Sequence, residues 1–131
     1  MADAALVRRL ALALPEVEDR LDGDRLALEI KGKGLAWTYL ARAAPKAPRV
    51  ARPDVVAIRC LIESKELLIE AAPDRFFDDD HYRGYPAVLV RLARIDEAEL
   101  AALLEQAWRI QAPKALVRTR DAEPRRRGGL S

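Results

Sequence analysis

Three features predict an α+β fold of two layers, an antiparallel sheet of about five strands with helices packed on one face. Apolar residues recur at helical spacing near both ends of the 131-residue chain, each run opening on an aspartate suited to capping. Between them lie β-branched runs punctuated by glycine and proline, the pattern of hairpin-linked strands. Strict strand–helix alternation, the mark of a doubly wound nucleotide fold, is missing. The expected order is α-β-β-β-α-β-β-α.

The first helix is expected over residues 3–14. Asp3 is its natural cap, Leu6, Val7, Leu10 and Leu14 share one face, and Pro15 stops it. Polar "EVEDRLDGD" reads as a loop. "RLALEI" and "LAWTYL" are strands joined through "KGKG", a hairpin whose tip displays Lys31 and Lys33. Its glycines do not form a phosphate loop, because G-x-x-x-x-G-K-[ST] is absent. "ARAAPKAPRVARP", residues 41–53, reads as a long exposed connection, since Pro45, Pro48 and Pro53 cannot donate to a strand ladder.

"DVVAIRCLI" is a third strand, and Ser64 is placed to cap a short helix, "KELLIEAA", ended by Pro73. "RFF" is expected at a sheet edge, with "AVLVRLA" a fuller strand. Asp96 then opens the best-specified helix, with Glu99 at the capping-box position and Ile95 and Leu100 at the staple positions. Leu100, Leu103, Leu104, Ala107 and Trp108 form its buried stripe, and Pro113 ends it. The domain is drawn at residues 1–116, with 117–131 a basic, flexible tail.

Composition narrows the function classes. A chain of this length suits one domain and buries roughly two-thirds of its unfolded surface. With 50% hydrophobic and 34% charged residues it has globular composition. The one cysteine, Cys60, excludes an internal disulfide framework and a multi-cysteine zinc site. Neither a leader-like apolar run nor a stretch of ~20 apolar residues is seen, so the cytoplasm is the expected compartment and no membrane partner is expected. Net charge is only +2, but Arg42, Lys46, Arg49 and Arg52 fall in one segment free of acids. Such a segment attracts phosphate locally, although exposed loops carry charge for solubility as well.

The unusual stretch is "FFDDDHYRGYP", residues 76–86, with the chain's single histidine. Asp78, Asp80 and His81 offer metal-binding chemistry, but no second histidine supports them and no metal is expected. His81 has the intrinsic pKa of a proton-transfer group, yet no nucleophile or triad motif accompanies it, and no catalytic residue is assigned. Tyr82, Arg83 and Tyr85 bring π-faces and a guanidinium onto a turn pinned by Gly84 and Pro86, suited to stacking on bases or binding phosphate. The reading preferred over these is structural: His81, Tyr82 and Tyr85 close the end of the sheet, with Arg83 paired to an aspartate.

Four segments, "ALALPEVED", "KGKGLAW", "FFDDDHYRGYPAVLVRLARID" and "LLEQAWRIQAPKAL", together resemble the MmcQ/YjbR-like family of small bacterial proteins, over about residues 6–116. The resemblance implies an antiparallel sheet with packed helices, a DNA-binding label with sheet loops likened to wings, and no cofactor or catalytic set. Relatives usually follow the two phenylalanines with a threonine–proline pair; this chain has Asp78, Asp79 and Asp80 instead.

The expected function is non-enzymatic binding of duplex DNA through phosphate contacts from Lys31, Lys33, Arg42, Lys46, Arg49, Arg52 and Arg83. The alternative is a protein- or small-molecule-binding adaptor with an apolar groove beside Trp37 and Tyr39. An enzyme using His81 ranks third.

Overall fold

The computed structural model describes residues 2–20, 25–42 and 46–122, and of Arg42 and Pro53 the backbone only. Among these, the helices are α1 (Ala4–Leu12), α2 (Ile62–Ala71), α3 (Glu97–Gln111) and α4 (Lys114–Ala122). The strands are β1 (Val17–Asp19), β2 (Ala27–Ile30), β3 (Lys33–Arg42), β4 (Arg49–Arg59), β5 (Phe76–Phe77) and β6 (Ala87–Arg91). They form one six-stranded sheet in the order β1-β2-β3-β4-β6-β5, every pair antiparallel.

Local chemistry starts the helices where the sequence indicates. Asp3 accepts the Leu6 amide at 2.9 Å, and Asp96 accepts that of Glu99 at 2.8 Å. The capping box at α3 is half used, because the Glu99 carboxylate turns to Arg75 at 3.1 Å. Between β2 and β3, Lys31 and Gly32 both hold positive φ, 51° and 80°. This is the two-residue turn whose twist suits a hairpin, and glycine occupies its second position at little steric cost.

Four sequence-based expectations are corrected. "EVEDRLDGD" is not all loop. Glu16 at φ 63° redirects the chain after Pro15, so that Val17–Asp19 lies alongside Leu28–Ile30 as an edge strand. Nor is 41–53 a long connection. β3 and β4 run on past the rest of the sheet as a two-stranded arm, pairing Tyr39 with Arg52, Leu40 with Ala51, Ala41 with Val50 and Arg42 with Arg49. The prolines do not forbid this. Pro53 falls in the register shift between Thr38 and Tyr39, where the ladder skips residues, and Pro48 precedes β4. Pro45 lies outside the described residues.

The third correction concerns α2. It begins at Ile62, with Leu61 at the cap position and Ser64 inside the first turn, because Lys65 N–H already bonds Leu61 C=O at 2.9 Å. The fourth concerns the boundary at 116/117, which cuts through α4. Pro113 C=O accepts the amides of Leu116 and Val117, so this proline starts a new helix rather than a tail. Leu116 and Val117 pack on the core, while Arg120 pairs with Glu105 at 2.7 Å and lies over the Trp108 ring at 5.6 Å. Residues 123–131 of the expected tail lie outside the described residues.

Period-2 alternation divides the sheet's side chains. Val56, Ile58, Val88, Val90 and Phe76 join Leu100, Leu104, Ala107 and Trp108 in the main core beneath the helices. Their alternates Val55, Ala57, Ala87, Leu89 and Phe77 form a second apolar cluster with Trp37, Tyr39 and Tyr82. Helices cover one face, as expected; the segment from Asp78 to Pro86 closes part of the other.

Candidate functional site

That closing segment is held by a buried lysine. Lys65, 3% exposed, donates to Tyr82 C=O at 2.6 Å and Tyr85 C=O at 3.0 Å, and it faces an Asp78 carboxylate oxygen at 3.1 Å. An ammonium has three donors and no acceptor, so three oxygens satisfy it. Asp79 takes the Tyr39 hydroxyl on one oxygen and the Tyr82 amide on the other, the latter at 2.9 Å. Trp37 Nε1 donates to the Tyr82 hydroxyl at 2.8 Å. Burial, reinforced by the Asp79 hydrogen bond, pushes the Tyr39 hydroxyl up to about 12. Burial also raises Tyr82, with the bond from Trp37 acting the other way. Both phenols therefore stay neutral at physiological pH.

Each aspartate of the triplet is thus engaged. Asp78 meets Lys65, Asp79 meets the two tyrosines, and Asp80 meets Arg83 at 2.6 Å in an exposed pair. Tyr82 is a core residue, whereas Tyr85 remains 43% exposed beneath the Arg59 guanidinium, 5.7 Å from its ring centre. His81 is exposed, and its Nδ1 lies 3.1 Å from Arg49. Among the described residues the hydrogen-bond partner of its ring is Arg49, not a serine or Cys60. Cys60 is buried at the far end of β4, and burial pushes its thiol up to about 11, so it stays protonated. Among the described residues no three histidine, cysteine, aspartate or glutamate side chains converge for a metal ion.

The basic residues fall into separate groups. Arg49 and Arg52 lie on the arm, Lys46 is exposed at its tip, and the register sets the Arg42 backbone opposite Arg49. Arg52 has only a loose, exposed contact with Asp54 at 3.8 Å. Lys31 and Lys33 sit at the other end of β3, about 30 Å away at ~3.3 Å per residue. Lys31 is bonded there to Glu16 at 2.6 Å. The arm is therefore one basic element, and the turn lysines belong to another part of the surface.

Tyr82 packs against Trp37 and Tyr39, where the adaptor reading expects an apolar groove. An apolar groove of about 460 Å³ lies between α2 and α3, lined by Leu61, Leu67, Leu68, Leu103 and Ile110. Sequence reasoning missed Lys65 altogether. A signal existed: Lys65 shares a helix face with Leu61, Leu68 and Ile69 at spacings of four, three and four, a position where a charge needs buried partners.

Comparison with known proteins agrees with this architecture. Over 79 residues, 60% of this chain and 59% of theirs, the chain is 44% identical to Rv2570 of Mycobacterium tuberculosis H37Rv and to Mb2600 of Mycobacterium bovis. The match thus spans about three-fifths of those relatives. The crystal structure of Deinococcus radiodurans protein DR2400, a DUF419 domain, superposes with a TM-score of 0.64 at 18% identity, covering 100% of this chain and 96% of that one; this likeness concerns the fold. Among the described residues no helix is long and apolar enough to cross a membrane. The YjbR family model matches residues 12–110, and the chain belongs to the YjbR family.

Proposed function

We propose that the chain binds duplex DNA through its hairpin arm, without catalysing a reaction. The observation that carries this reading is the arm itself: Arg42, Lys46, Arg49 and Arg52 gather on one two-stranded ribbon extending past the sheet. A two-stranded ribbon has the width of the B-DNA major groove, and its arginines and lysine suit the flanking phosphates. The neighbouring aspartates oppose this less than their number suggests, since Lys65 and Arg83 pair with Asp78 and Asp80 and, among the described residues, leave one uncompensated carboxylate, Asp79. Arg83, tied to Asp80, and Lys31, tied to Glu16, are left out of the interface, as is distant Lys33. Contacts of this kind give position rather than sequence, with dissociation constants of roughly 10⁻⁴–10⁻⁶ M.

Fluorescence anisotropy of a random-sequence duplex at several salt concentrations tests the reading. Four phosphate contacts give a log–log slope of about −3 to −4. The R42Q/K46Q/R49Q/R52Q variant is expected to lose both the affinity and the slope. Equal binding by variant and parent, or binding indifferent to salt, removes the arm from the mechanism. A second reading, an adaptor, draws on the α2–α3 groove, where Leu61 and Leu67 are 54% and 65% exposed.

A further inference from the structure

At the opposite end of β3 from the arm, the β2–β3 turn and the α3–α4 corner enclose a concavity of about 670 Å³. Its lining includes Lys31, Lys33, Arg109, Gln111, Lys114 and Arg118. The surrounding acids are distributed unevenly among these cations. Glu16 takes Lys31, while Glu105 and Asp121 take Arg109, at 3.1 and 2.6 Å. Glu105 is shared with Arg120, and the hydrogen bond from Arg120 holds its carboxyl below the ordinary range. Lys33, Lys114 and Arg118 have no acidic partner among the described residues. Three positive side chains thus line one hollow with nothing on the described protein to neutralise them.

The hollow is also built to keep its shape. Gln111 donates to Gly34 C=O at 3.1 Å, tying the end of α3 to the start of β3. A side chain at Gly34 would press at 3.1 Å on the ring of Trp37, three residues along the same strand, so the start of β3 takes glycine there. Ile110, Ala112, Pro113 and Val117 supply an apolar part of the lining. α4 begins at the rim, and its first-turn N–H groups add positive potential.

We propose that this concavity binds a phosphorylated small molecule, its phosphate held by Lys33, Lys114 and Arg118 and its organic body seated on Ile110, Pro113 and Val117. The volume lies in the range of small-molecule sites, which combine an apolar lining with a few convergent polar groups. The shape distinguishes the site from the arm. The arm presents cations along a projecting ribbon, which suits a row of backbone phosphates, whereas Lys33, Lys114 and Arg118 line one concavity beside an apolar wall. Phosphate chemistry is common to both sources, free phosphoester and nucleic acid, so the test includes each.

The experiment is a ¹⁵N–¹H correlation titration of the full chain with inorganic phosphate, AMP and a 20-base-pair duplex. AMP is expected to shift the amides of Lys33 and residues 114–118 but not those of 49–52, and to bind more tightly than inorganic phosphate because only AMP uses the apolar seat. The K33Q/K114Q/R118Q variant is expected to weaken AMP by at least about tenfold, the effect of one lost charge-assisted hydrogen bond or more. Val117→Thr, which adds no charge and leaves the three cations unpaired, is expected to shrink the advantage of AMP over phosphate. The arm variant R42Q/K46Q/R49Q/R52Q is expected to bind AMP like the parent, so failure of the DNA reading leaves this site intact. Unchanged AMP affinity in the triple variant, or shifts centred on the arm, overturns the proposal. Loss of duplex binding in the triple variant as large as its loss of AMP binding assigns the phosphate to nucleic acid and overturns the small-molecule ligand.

Discussion

On the helical side of the sheet, Val56, Ile58, Val88 and Val90 meet Leu100, Leu104 and Trp108; on the other side, Val55, Ala57, Ala87 and Leu89 meet Tyr82, Trp37 and Tyr39. The strand residues are alike, but the covers differ in kind. Helices α1 and α3 bury a broad apolar stripe, and many side chains share the work. The Asp78–Pro86 segment contributes few apolar groups, with Tyr82 the main one, and is fastened by hydrogen bonds to Lys65, Tyr39 and Trp37. The first kind of cover depends on area, the second on satisfying a handful of buried polar atoms. A segment rich in charge can therefore close a hydrophobic face, provided each charge is given a partner.

The largest expected effect tests the helical side. Trp108 is fully buried, and its Nε1 donates to Pro15 C=O at 2.9 Å, joining α3 to the end of α1. Trp108→Ala is expected to cost about 3–5 kcal/mol, a large part of a small domain's stability, and to lower the urea midpoint while the transition remains cooperative.

Lys65→Met gives the sharpest contrast. The variant keeps the apolar stem but leaves the Tyr82 and Tyr85 carbonyls without their donor, at an expected cost of about 2–3 kcal/mol. Hydrogen exchange is expected to accelerate first in residues 78–86 while α3 stays protected. Uniform acceleration across the molecule would erase the distinction between the two covers.

The smallest effect is one of pH. Tyr39 has its folded-state pKa raised from about 10 to about 12, so its contribution is fully present below pH 10 and is lost as pH rises from there towards 12. Tyrosinate absorbance should show a late phase near pH 12, beyond the ordinary tyrosine range, and Tyr39→Phe should diminish it. Absence of any phase near pH 12 in the parent would mean that Tyr39 is not held in the buried, Asp79-bonded position.

How much was legible in the chain varies with the range of the interaction. The caps at Asp3 and Asp96, the hairpin at Lys31–Gly32 and the stripe through Trp108 were readable because each rests on residues within a turn or two of one another. The arm was misread because prolines were counted without their register. Pro53 falls where the ladder skips, which depends on how β3 and β4 align. The candidate sites were legible as residue types but not as assemblies. Lys31 and Lys33 were grouped with the arm until the length of β3 separated them, and Lys114 and Arg118 lay in a segment assigned partly to a tail.

The amino-acid sequence by itself determined the mixed α+β class, the antiparallel tendency, the helix starts and the stock of positive charge. Tertiary structure alone decided which face Asp78–Pro86 would close, that Lys65 would hold it, and which cations would share a surface. The physical reason is distance along the chain. Periodicity and capping act between neighbours, whereas Trp108 reaches Pro15 across 93 residues and Trp37 reaches Tyr82 across 45, contacts that exist only once the sheet has formed.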